Sequence, residues 1–446
     1  MNRNVLVIGG GISGLAAAYA LRDVAKVTVL ESSDRVGGKL RSGSLAGFSV
    51  DVGAEMVLAR RPEAVELARA VGLELVHPAT TSAQVLVEGE LHPLPGGTLL
   101  GVPTEPKALV GLLATADLAR IEAEAEGQFP PLTTDVAVGA LVRERLGSAI
   151  VDRLVDPLLG GVYAGHADRL SLQATVPGLA AELAKDGSLV RSARRAAAAA
   201  RGGEGPVFAT IRGGLGRLPE AVAEASKASL VVNTTARELQ RTADGWRVIT
   251  GPTTAPVAYE ADSVVVAVPA PAAARLLAPF VDTSQLGAVE LASTALVSFA
   301  FPPSALPAAS GVLVPASEGR FVKAVTWSSS KWSHLPGDVT LVRASVGRAR
   351  EVRDLQMTDE ELAARAGEDL RALGGPTAEP LDWIVTRWGG GLPQYGVGHL
   401  DLVARVRAGL PAGVAVCGAV WDGVGVPSCI RSGQQAAMRI SASWEQ

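Results

Sequence analysis

Cysteine, histidine and aromatic side chains are scarce in this sequence of 446 residues. The two cysteines, Cys417 and Cys429, stand in no pattern of metal ligands, which argues against a disulfide framework and fits a reducing cytoplasm. Five histidines make a histidine-based metal site unexpected, and we predict no bound metal. The formal net charge of −4 gives no reason to expect nucleic acid as a partner.

A long uninterrupted hydrophobic run is also missing. The most apolar stretch, residues 263–281, contains Pro269, Pro271, Pro279 and Arg275, whereas a membrane-spanning helix needs ~20 apolar residues. The apolar run after the N-terminus resembles a signal peptide, but glycines interrupt it. We therefore predict a cytoplasmic protein. Hydrophobic residues make up 48% of the chain and charged residues 19%, which indicates a globular body of several domains.

A βαβ pattern opens the chain. Residues 5–8 predict a buried strand, residues 9–14 have the spacing G-x-G-x-x-G, and residues 15–21 predict a helix. A second strand follows at residues 27–30, and Glu31 ends it. Strand, turn, helix, strand and acid occur in the order that binds a dinucleotide, although a glycine-rich turn without a ligand is the alternative.

Each residue type in this pattern has a physical role. Gly9 permits the tight turn, Gly11 lets the backbone approach a pyrophosphate, and Gly14 lets helix and strand pack closely. The helix N-terminus offers free N–H groups to phosphates, and Glu31 can accept hydrogen bonds from a ribose. The predicted contacts of this unit are Gly9, Gly10, Gly11, Ile12, Ser13, Gly14, Glu31 and Ser32.

The R-x-G-G-K sequence of residues 35–39 resembles the extended signature of the flavin-dependent amine oxidase superfamily. The resemblance implies FAD as cofactor, with Gly38 beside the diphosphate and Lys39 facing the phosphates. A surface turn with an ordinary cation is the alternative. Residues 48–55 predict a strand that breaks at Gly53. In the same superfamily this turn runs along the flavin ring, which implies contacts from Gly53, Ala54, Glu55 and Met56.

The C-terminal region contains a second flavin-like element. Residues 414–417 predict a strand, residues 423–426 a tight turn, and Pro427 fits the first turn of the following helix. That helix would direct its N-terminus at the flavin pyrimidine edge, where reduced flavin is anionic. The contacts implied by resemblance here are Trp388, Val424, Gly425 and Val426.

The middle of the chain predicts further elements of the nucleotide-binding domain. A helix at residues 219–228 follows the glycine-rich segment 208–218, and a strand at 230–233 precedes Ala236, the residue that the resemblance places near adenine. Further strands are predicted at residues 246–249 and 263–268.

Residues 94–205 have a mostly helical pattern. Helices are predicted at residues 108–126 and at 133–146, where Asp135 is a plausible cap. Residues 191–201 are rich in alanine and arginine, which favours a solvated helix face over a membrane-surface helix.

These patterns predict a mixed α/β fold. It consists of a Rossmann-like FAD-binding domain, a substrate-binding domain built on a sheet, and a helical insertion that could face a membrane. Strands of the substrate-binding domain are predicted at residues 294–301, 321–327 and 340–346. The predicted division is 1–76, 206–275 and 386–446 for the FAD-binding domain, 77–93 and 276–385 for the substrate-binding domain, and 94–205 for the insertion.

Four segments, residues 151–177, 208–218, 388–400 and 422–433, resemble the porphyrinogen oxidases of haem biosynthesis. The resemblance runs along nearly the whole chain. His166 departs from the family pattern, where an acid is common, and we assign it no catalytic role. Met56 departs where some relatives have arginine.

Arg60 and Arg61, near Met56, could therefore hold a substrate propionate, and a surface cation is the alternative for either residue. The residues themselves do not settle which of the two would do so.

The resemblance implies the oxidation of coproporphyrinogen III or protoporphyrinogen IX by three two-electron steps. Each step passes a hydride to flavin N5, and molecular oxygen then reoxidises the flavin and yields hydrogen peroxide. We name no catalytic residue, because the flavin carries the hard chemistry. Soluble Gram-positive members of the family that the chain resembles favour coproporphyrinogen III. The resemblance therefore favours that substrate for this arginine-rich, lysine-poor chain without a spanning segment. The sequence leaves two further interactions open: peripheral contact of the protein with a membrane, and binding to another protein of the haem pathway.

Three other functions are alternatives. A flavin amine oxidase usually places a lysine-bound water near N5 and aromatic residues around its substrate, but aromatics are only 4% here. A carotenoid desaturase would expose a more apolar surface for membrane entry. A non-catalytic flavin- or porphyrin-binding carrier would bind one equivalent and stop, so turnover under air separates it from an enzyme.

Overall fold

A parallel sheet of five strands forms the first layer of the protein, which the computed structural model describes over residues 3–200 and 205–444. We refer to it as the nucleotide sheet. Its strands are rich in valine and mostly buried, as expected for a parallel sheet covered on both faces, except for the exposed edge strand Ser229–Val231. Their spatial order is Ser229–Val231, Ala25–Leu30, Arg3–Ile8, Ser263–Val266 and Val414–Val416. The α/β class and the Rossmann-like unit are therefore confirmed.

Two helices from opposite ends of the chain pack against each other on this sheet. The first helix is Ile12–Leu21 and the last helix is Val426–Ala442. At Gly433 their backbones are so close that an added Cβ would clash with the Ser13 carbonyl. A Cβ at Gly14 would likewise clash with the Gly9 carbonyl. Both contacts need glycine: the Gly433 contact holds the last helix against the first, and the Gly14 contact packs the first helix against its own turn.

A mixed sheet of seven strands forms the second layer. The helix Asp359–Ala372, which begins with a Thr358–Glu361 capping box, covers one face of this sheet with an apolar core. The other face packs against the hairpin Ser42–Leu45 and Phe48–Asp51. The strand order is Asp382–Pro393, Leu291–Phe301, Thr340–Val346, Val322–Thr326, Gly311–Leu313, Ala83–Val87 and Glu90–Pro93.

The predicted domain boundary between residues 385 and 386 falls inside the strand Asp382–Pro393. This strand contributes to the seven-stranded sheet, yet its Trp388 indole N–H donates to the Val52 carbonyl at 2.9 Å. The strand therefore serves both layers, which is why the sequence pattern gives no break there. The domain division as a whole stays a prediction.

A helical segment, residues 115–200, follows the strand Glu90–Pro93 along the chain. Leucine and valine side chains from its helices form one continuous core. The helices are Thr115–Glu126, Val138–Leu146, Ser148–Ile150, Asp156–Tyr163, Leu172–Thr175, Pro177–Leu183 and Leu189–Ala200, with a π-helix at Val151–Val155.

Two predictions for this segment were wrong. The helix predicted at 108–126 starts only at Thr115, because Pro106–Leu109 forms a 3₁₀ turn and Gly111 has a positive φ of 89°. Asp135 does not cap the helix Val138–Leu146, whose first turn has no side-chain cap.

Asp135 instead joins separate parts of the chain. Its carboxylate accepts hydrogen bonds from Ser171 Oγ at 2.7 Å and from the backbone N–H groups of Gln173 and Gly398 at 3.1 and 2.9 Å. Two of these partners belong to the helical segment, and the third precedes the helix His399–Ala408.

The arginines of helix Leu189–Ala200 include the solvated side chains that the composition suggested, since Arg194 and Arg195 are exposed, but they also bind neighbouring residues. Arg191 and Arg195 both bind Asp186, and Arg194 donates to the Thr104 carbonyl at 3.0 Å. Arg201, the last residue of the predicted stretch, lies outside the described residues.

Other predicted boundaries shift by a few residues. The helix predicted at 219–228 is Arg217–Ala225, since Lys227 has a left-handed φ of 56°. The strand predicted at 230–233 is Ser229–Val231 and ends before Asn233, whose φ is 52°. The strand predicted at 263–268 is Ser263–Val266.

The remaining elements are short. Further strands are Val57–Leu58, Leu75–Val76, Thr98–Leu99, Val102–Pro103, Phe208–Ile211, Glu238–Arg241, Trp246–Thr250 and Val257–Ala261. Further helices are Pro62–Ala70, Ala270–Leu277, Ser284–Gly287, Ser328–Lys331, His399–Ala408 and Ala419–Asp422, with 3₁₀ turns at Ala167–Arg169, Ala316–Glu318 and Asp354–Gln356. Over the described residues, each helix is too short or too polar to cross a membrane.

Gly433→Ala tests the contact between the first and last helices. We expect it to lower the free energy of unfolding by ~1–3 kcal/mol, because the methyl group forces the two backbones apart. Urea unfolding would measure the loss. The matched control is Gly367→Ala in helix Asp359–Ala372, where an added Cβ meets only the Arg371 guanidinium, at 4.0 Å, and helix propensity predicts a gain of up to ~1 kcal/mol. Equal stability of the Gly433→Ala variant and the wild type would contradict the packing argument.

Candidate active site

The glycine-rich turn and the first helix form an open cradle. Gly9 has a φ of 107°, which favours glycine, and its N–H donates to the Leu30 carbonyl at 2.8 Å. At Gly11 an added Cβ would meet nothing within 4 Å. The helix begins at Ile12 without a side-chain cap, so its first N–H groups are available to an anion. This arrangement fits the diphosphate of a dinucleotide.

Glu31 lies beside the glycine-rich turn, at the end of strand Ala25–Leu30, and its predicted contact with a ribose stays a prediction. Its carboxylate accepts hydrogen bonds from the backbone N–H of Gly10 at 2.7 Å and from that of Ser33 at 2.8 Å. The hydroxyl of Ser32 is 3.3 Å from the same carboxylate. The Glu31 carbonyl accepts from Thr234 N–H at 2.8 Å, so the loop that leads to the buried Ala236 starts beside this acid.

Lys39 is a cation without an anion among the described residues. Its side chain is open to solvent, yet the protein atoms around the cleft lower its pKa by desolvation. Gly38 lies against Gly11, and the Lys39 charge is near Cys429 in the first turn of the last helix. An unpaired ammonium in a crowded cleft between two helix N-termini fits a bound diphosphate.

The turn of residues 53–56 is held from both sides. A Cβ at Gly53 would clash with the Lys39 carbonyl, which also accepts from Ala54 N–H at 3.2 Å. From the seven-stranded sheet, Arg343 Nη1 donates to the Gly53 carbonyl at 2.8 Å, and the Trp388 ring lies against Gly53. The structure therefore brings Lys39, the turn and Trp388 together, as the resemblance implied.

A buried ion cluster anchors this turn. Lys331 Nζ is 2.5 Å from Glu55 Oε1 and 3.2 Å from Met56 Sδ, and Arg343 Nη1 is 3.6 Å from Glu55 Oε2. Burial alone would raise the pKa of Glu55, but the charges of Lys331 and Arg343 outweigh it and lower the pKa to about 2. Glu55 therefore stays ionised at neutral pH.

Sequence reasoning missed Lys331 and Arg343. Both come from the predicted substrate-binding domain and meet a turn almost 300 residues earlier in the chain. The available signal was Lys331 itself, a cation directly before Trp332 in a stretch that is otherwise free of charge.

The C-terminal element has the predicted form. Gly423 turns the chain with a φ of 117°, the last helix begins at Val426 without a side-chain cap, and Pro427 lies in its first turn. Val424 packs against the core of the helical segment. Gly425 has no close neighbour where a Cβ would be, which leaves room for a ligand at the helix N-terminus.

Arg60 and Arg61 do not converge. Arg61 pairs with Glu63 at 3.1 Å, and Arg431 approaches the same carboxylate at 3.7 Å. Arg60 lies 3.5 Å from the Ala200 carbonyl at the end of a helix and has no carboxylate partner among the described residues. Of the two, only Arg60 keeps a guanidinium free of acids for a propionate, and that role stays a prediction.

Comparison with known proteins extends these observations to the whole chain. The model of the family described as flavin containing amine oxidoreductase matches residues 12–441. The coproporphyrinogen III oxidase of Mycobacterium tuberculosis (strain ATCC 25618 / H37Rv) is 41% identical, over 98% of this chain and 97% of the relative. That of Bacillus subtilis (strain 168) is 32% identical over 97% of both chains. A crystal structure from Exiguobacterium sp. 255-15, provisionally named protoporphyrinogen oxidase, superposes with a TM-score of 0.86 at 31% identity over the full length of both chains.

Lys39→Met tests the diphosphate site. We expect FAD to bind about tenfold more weakly or worse, because a charge-assisted contact to phosphate is lost. Titration of the apoprotein with FAD, followed by flavin fluorescence, would measure the change. Lys26→Met removes an exposed lysine from strand Ala25–Leu30 of the nucleotide sheet and should bind FAD like the wild type. If the Lys39→Met variant and this control bind FAD with equal affinity, Lys39 does not contribute to FAD binding.

Glu55→Gln tests the ion cluster through pH. Because the folded pKa of Glu55 lies below its ordinary value of 4.5, its contribution to stability is complete above about pH 4.5 and is lost as the pH falls towards 2. At pH 7 the variant leaves the buried Lys331 unpaired, which should cost ~3–5 kcal/mol.

The measurement is urea unfolding of both proteins at pH 7 and about pH 3.5. The stability difference between wild type and Glu55→Gln should shrink at the lower pH, whereas Glu224→Gln, a change on an exposed helix face, should alter little at either. A difference that is independent of pH would show that Glu55 acts through packing and not through charge.

Proposed function

The chain belongs to the flavin containing amine oxidoreductase family, and we propose that it oxidises coproporphyrinogen III to coproporphyrin III in haem biosynthesis. FAD is its cofactor, and the protein is an FAD-dependent oxidoreductase. The observation that carries the proposal is the full-length identity of 41% to a coproporphyrinogen III oxidase. The cradle at Gly11, the unpaired Lys39 and the two uncapped helices support it from the structure.

Four parts of the chain would hold FAD. The first helix and Lys39 would hold the diphosphate, Glu31 the ribose, and the N-terminus of the last helix the pyrimidine edge. The turn of residues 53–56 would lie along the ring, fixed by Arg343 and Trp388. When bound, FAD supplies a two-electron acceptor for hydride.

The overall reaction removes six hydrogens from the porphyrinogen in three two-electron oxidations. We infer that molecular oxygen takes up these electrons, so that three molecules of oxygen become three of hydrogen peroxide for each porphyrin formed. The protein positions the tetrapyrrole and excludes side reactions. Glu55 is no proton donor in this scheme, because Lys331 and Arg343 keep it ionised.

Protoporphyrinogen IX is the second candidate substrate. It has two carboxylates where coproporphyrinogen III has four, and the structural neighbour at 31% identity carries the name protoporphyrinogen oxidase. The relatives at 41% and 32% identity both carry the copro name, which favours the more acidic substrate. An amine oxidase reaction is less favoured, because Lys331 beside the 53–56 turn is bonded to Glu55 and Met56.

Cellular context is part of the same proposal. A cytoplasmic location fits a chain whose two cysteines, Cys417 and Cys429, are both free and buried. The product is a metal-free porphyrin, so the next step would be iron insertion. A protein of the haem pathway that takes this porphyrin, and peripheral contact with a membrane, remain proposals.

Porphyrin fluorescence against time tests the proposed function. The FAD-loaded protein is mixed in air with coproporphyrinogen III and, in parallel, with protoporphyrinogen IX, each beside an enzyme-free sample that records autoxidation. We expect a faster rise with the copro substrate. A faster rise with the proto substrate would favour the second candidate. Rates equal to autoxidation with both, from protein that holds FAD, would refute porphyrinogen oxidation.

A further inference from the structure

Lys323 is a buried cation in strand Val322–Thr326 of the seven-stranded sheet. Its residue is 8% exposed, and no hydrogen bond or ion pair to its ammonium group occurs within residues 3–200 and 205–444. Lys331 is buried to a similar degree, 6% exposed, but is bonded to Glu55. A buried charge is costly unless it is paired, so an unpaired one either becomes neutral or receives an anion.

Lys323 lies on the side of the seven-stranded sheet that meets the helical segment. The strand register shifts between Val322 and Ala324, so Lys323 is the extra residue of a bulge. Ala324 pairs with Leu313 on the neighbouring strand, and Leu313 packs on the core of the helical segment. The helix Asp156–Tyr163 rests on these strands, and Gly161 presents no side chain to Leu313.

Arg348 places a second cation in this region. It is 9% exposed, and its Nη2 donates to the Val314 carbonyl at 2.9 Å. Its nearest carboxylate is Glu351 at 3.8 Å, and His166 approaches the same carboxylate at 3.4 Å. The other side of the His166 ring faces Asp156 at 3.8 Å. Both carboxylates of this region therefore already have partners: Glu351 contacts Arg348 and His166, and Asp156 contacts His166.

The electrostatics favour a negative ligand. Desolvation, reinforced by the charge of Arg348, lowers the pKa of Lys323 to about 7, while Glu351 opposes this only in part. Lys39 is likewise an ammonium group without an anion among the described residues, although it is open to solvent, and it lies where the FAD diphosphate is expected. The proposed substrate carries up to four carboxylates, and Arg61 is already paired with Glu63.

We propose that Lys323 and Arg348 form a subsite for one propionate carboxylate of the porphyrinogen. The subsite rests on the proposed function, since that function supplies the polyanionic ligand. The Lys323 ammonium and the Arg348 guanidinium would each donate a hydrogen bond to the carboxylate. The bulge directs the Lys323 side chain out of the regular alternation of the strand. A carboxylate that only coproporphyrinogen III possesses would make the subsite a determinant of specificity.

Lys323→Met tests the subsite by binding of the stable product. Coproporphyrin III is titrated into FAD-loaded protein and followed by fluorescence, beside its tetramethyl ester, which has the same ring but no charge. We expect the variant to bind the free acid about tenfold more weakly and the ester as the wild type does. Lys185→Met removes an exposed lysine of the helical segment and is the matched control.

A purely structural role for Lys323 would weaken the acid and the ester alike. Thermal unfolding and the flavin absorbance spectrum verify that the variant is folded, and its stability should equal or exceed that of the wild type, because an unpaired buried charge is removed. Lys323→Gln provides a second variant with the same expectation for binding.

The outcomes separate the subsite from the proposed function. If the wild type does not oxidise porphyrinogens but prefers the acid over the ester through Lys323, the subsite stands and the function fails. If the wild type turns over coproporphyrinogen III while Lys323→Met binds the acid unchanged, the function stands and the subsite is refuted. A wild type that does not bind coproporphyrin III refutes the subsite as well.

Discussion

The backbone contact between the first and last helices at Gly433 and Ser13 determines the geometry of the rest of the protein. It brings residues from both ends of the chain to one edge of the nucleotide sheet and aligns two uncapped helix N-termini. Lys39 lies between them and has no anionic partner in the part of the chain that the structure describes. Because two positive helix ends and an ammonium group converge there, the energetics of this region favour a ligand with several negative charges.

A second contact connects this cofactor region to the sheet that would contact the substrate. The turn of residues 53–56 is fixed on one side by the Lys39 carbonyl and on the other by Arg343, Lys331 and Trp388. The two layers are therefore joined at this point by buried charge pairs and directed hydrogen bonds. Such contacts define relative position more narrowly than an apolar interface does, since each donor must meet one acceptor. A flavin on the turn and a substrate on the sheet face would share one rigid support.

The sequence predicted the features that depend on neighbouring residues. The strands of the nucleotide sheet, the glycine turn at Gly9 and the position of Pro427 follow from local periodicity and backbone conformation. The features it did not predict depend on distant partners. Asp135 resembles a helix cap in its local pattern but binds Gly398, and Glu55 gains its low pKa from Lys331 and Arg343, which a local pattern does not contain.

The central claim is that this chain passes electrons from a porphyrinogen to its FAD, and anaerobic mixing tests it most directly. FAD-loaded protein is combined with coproporphyrinogen III in the absence of oxygen, and the visible absorbance of the flavin is followed. The account predicts that the flavin bleaches as porphyrin forms, and that admission of air restores its spectrum. Flavin that stays oxidised in the presence of excess porphyrinogen would contradict the account.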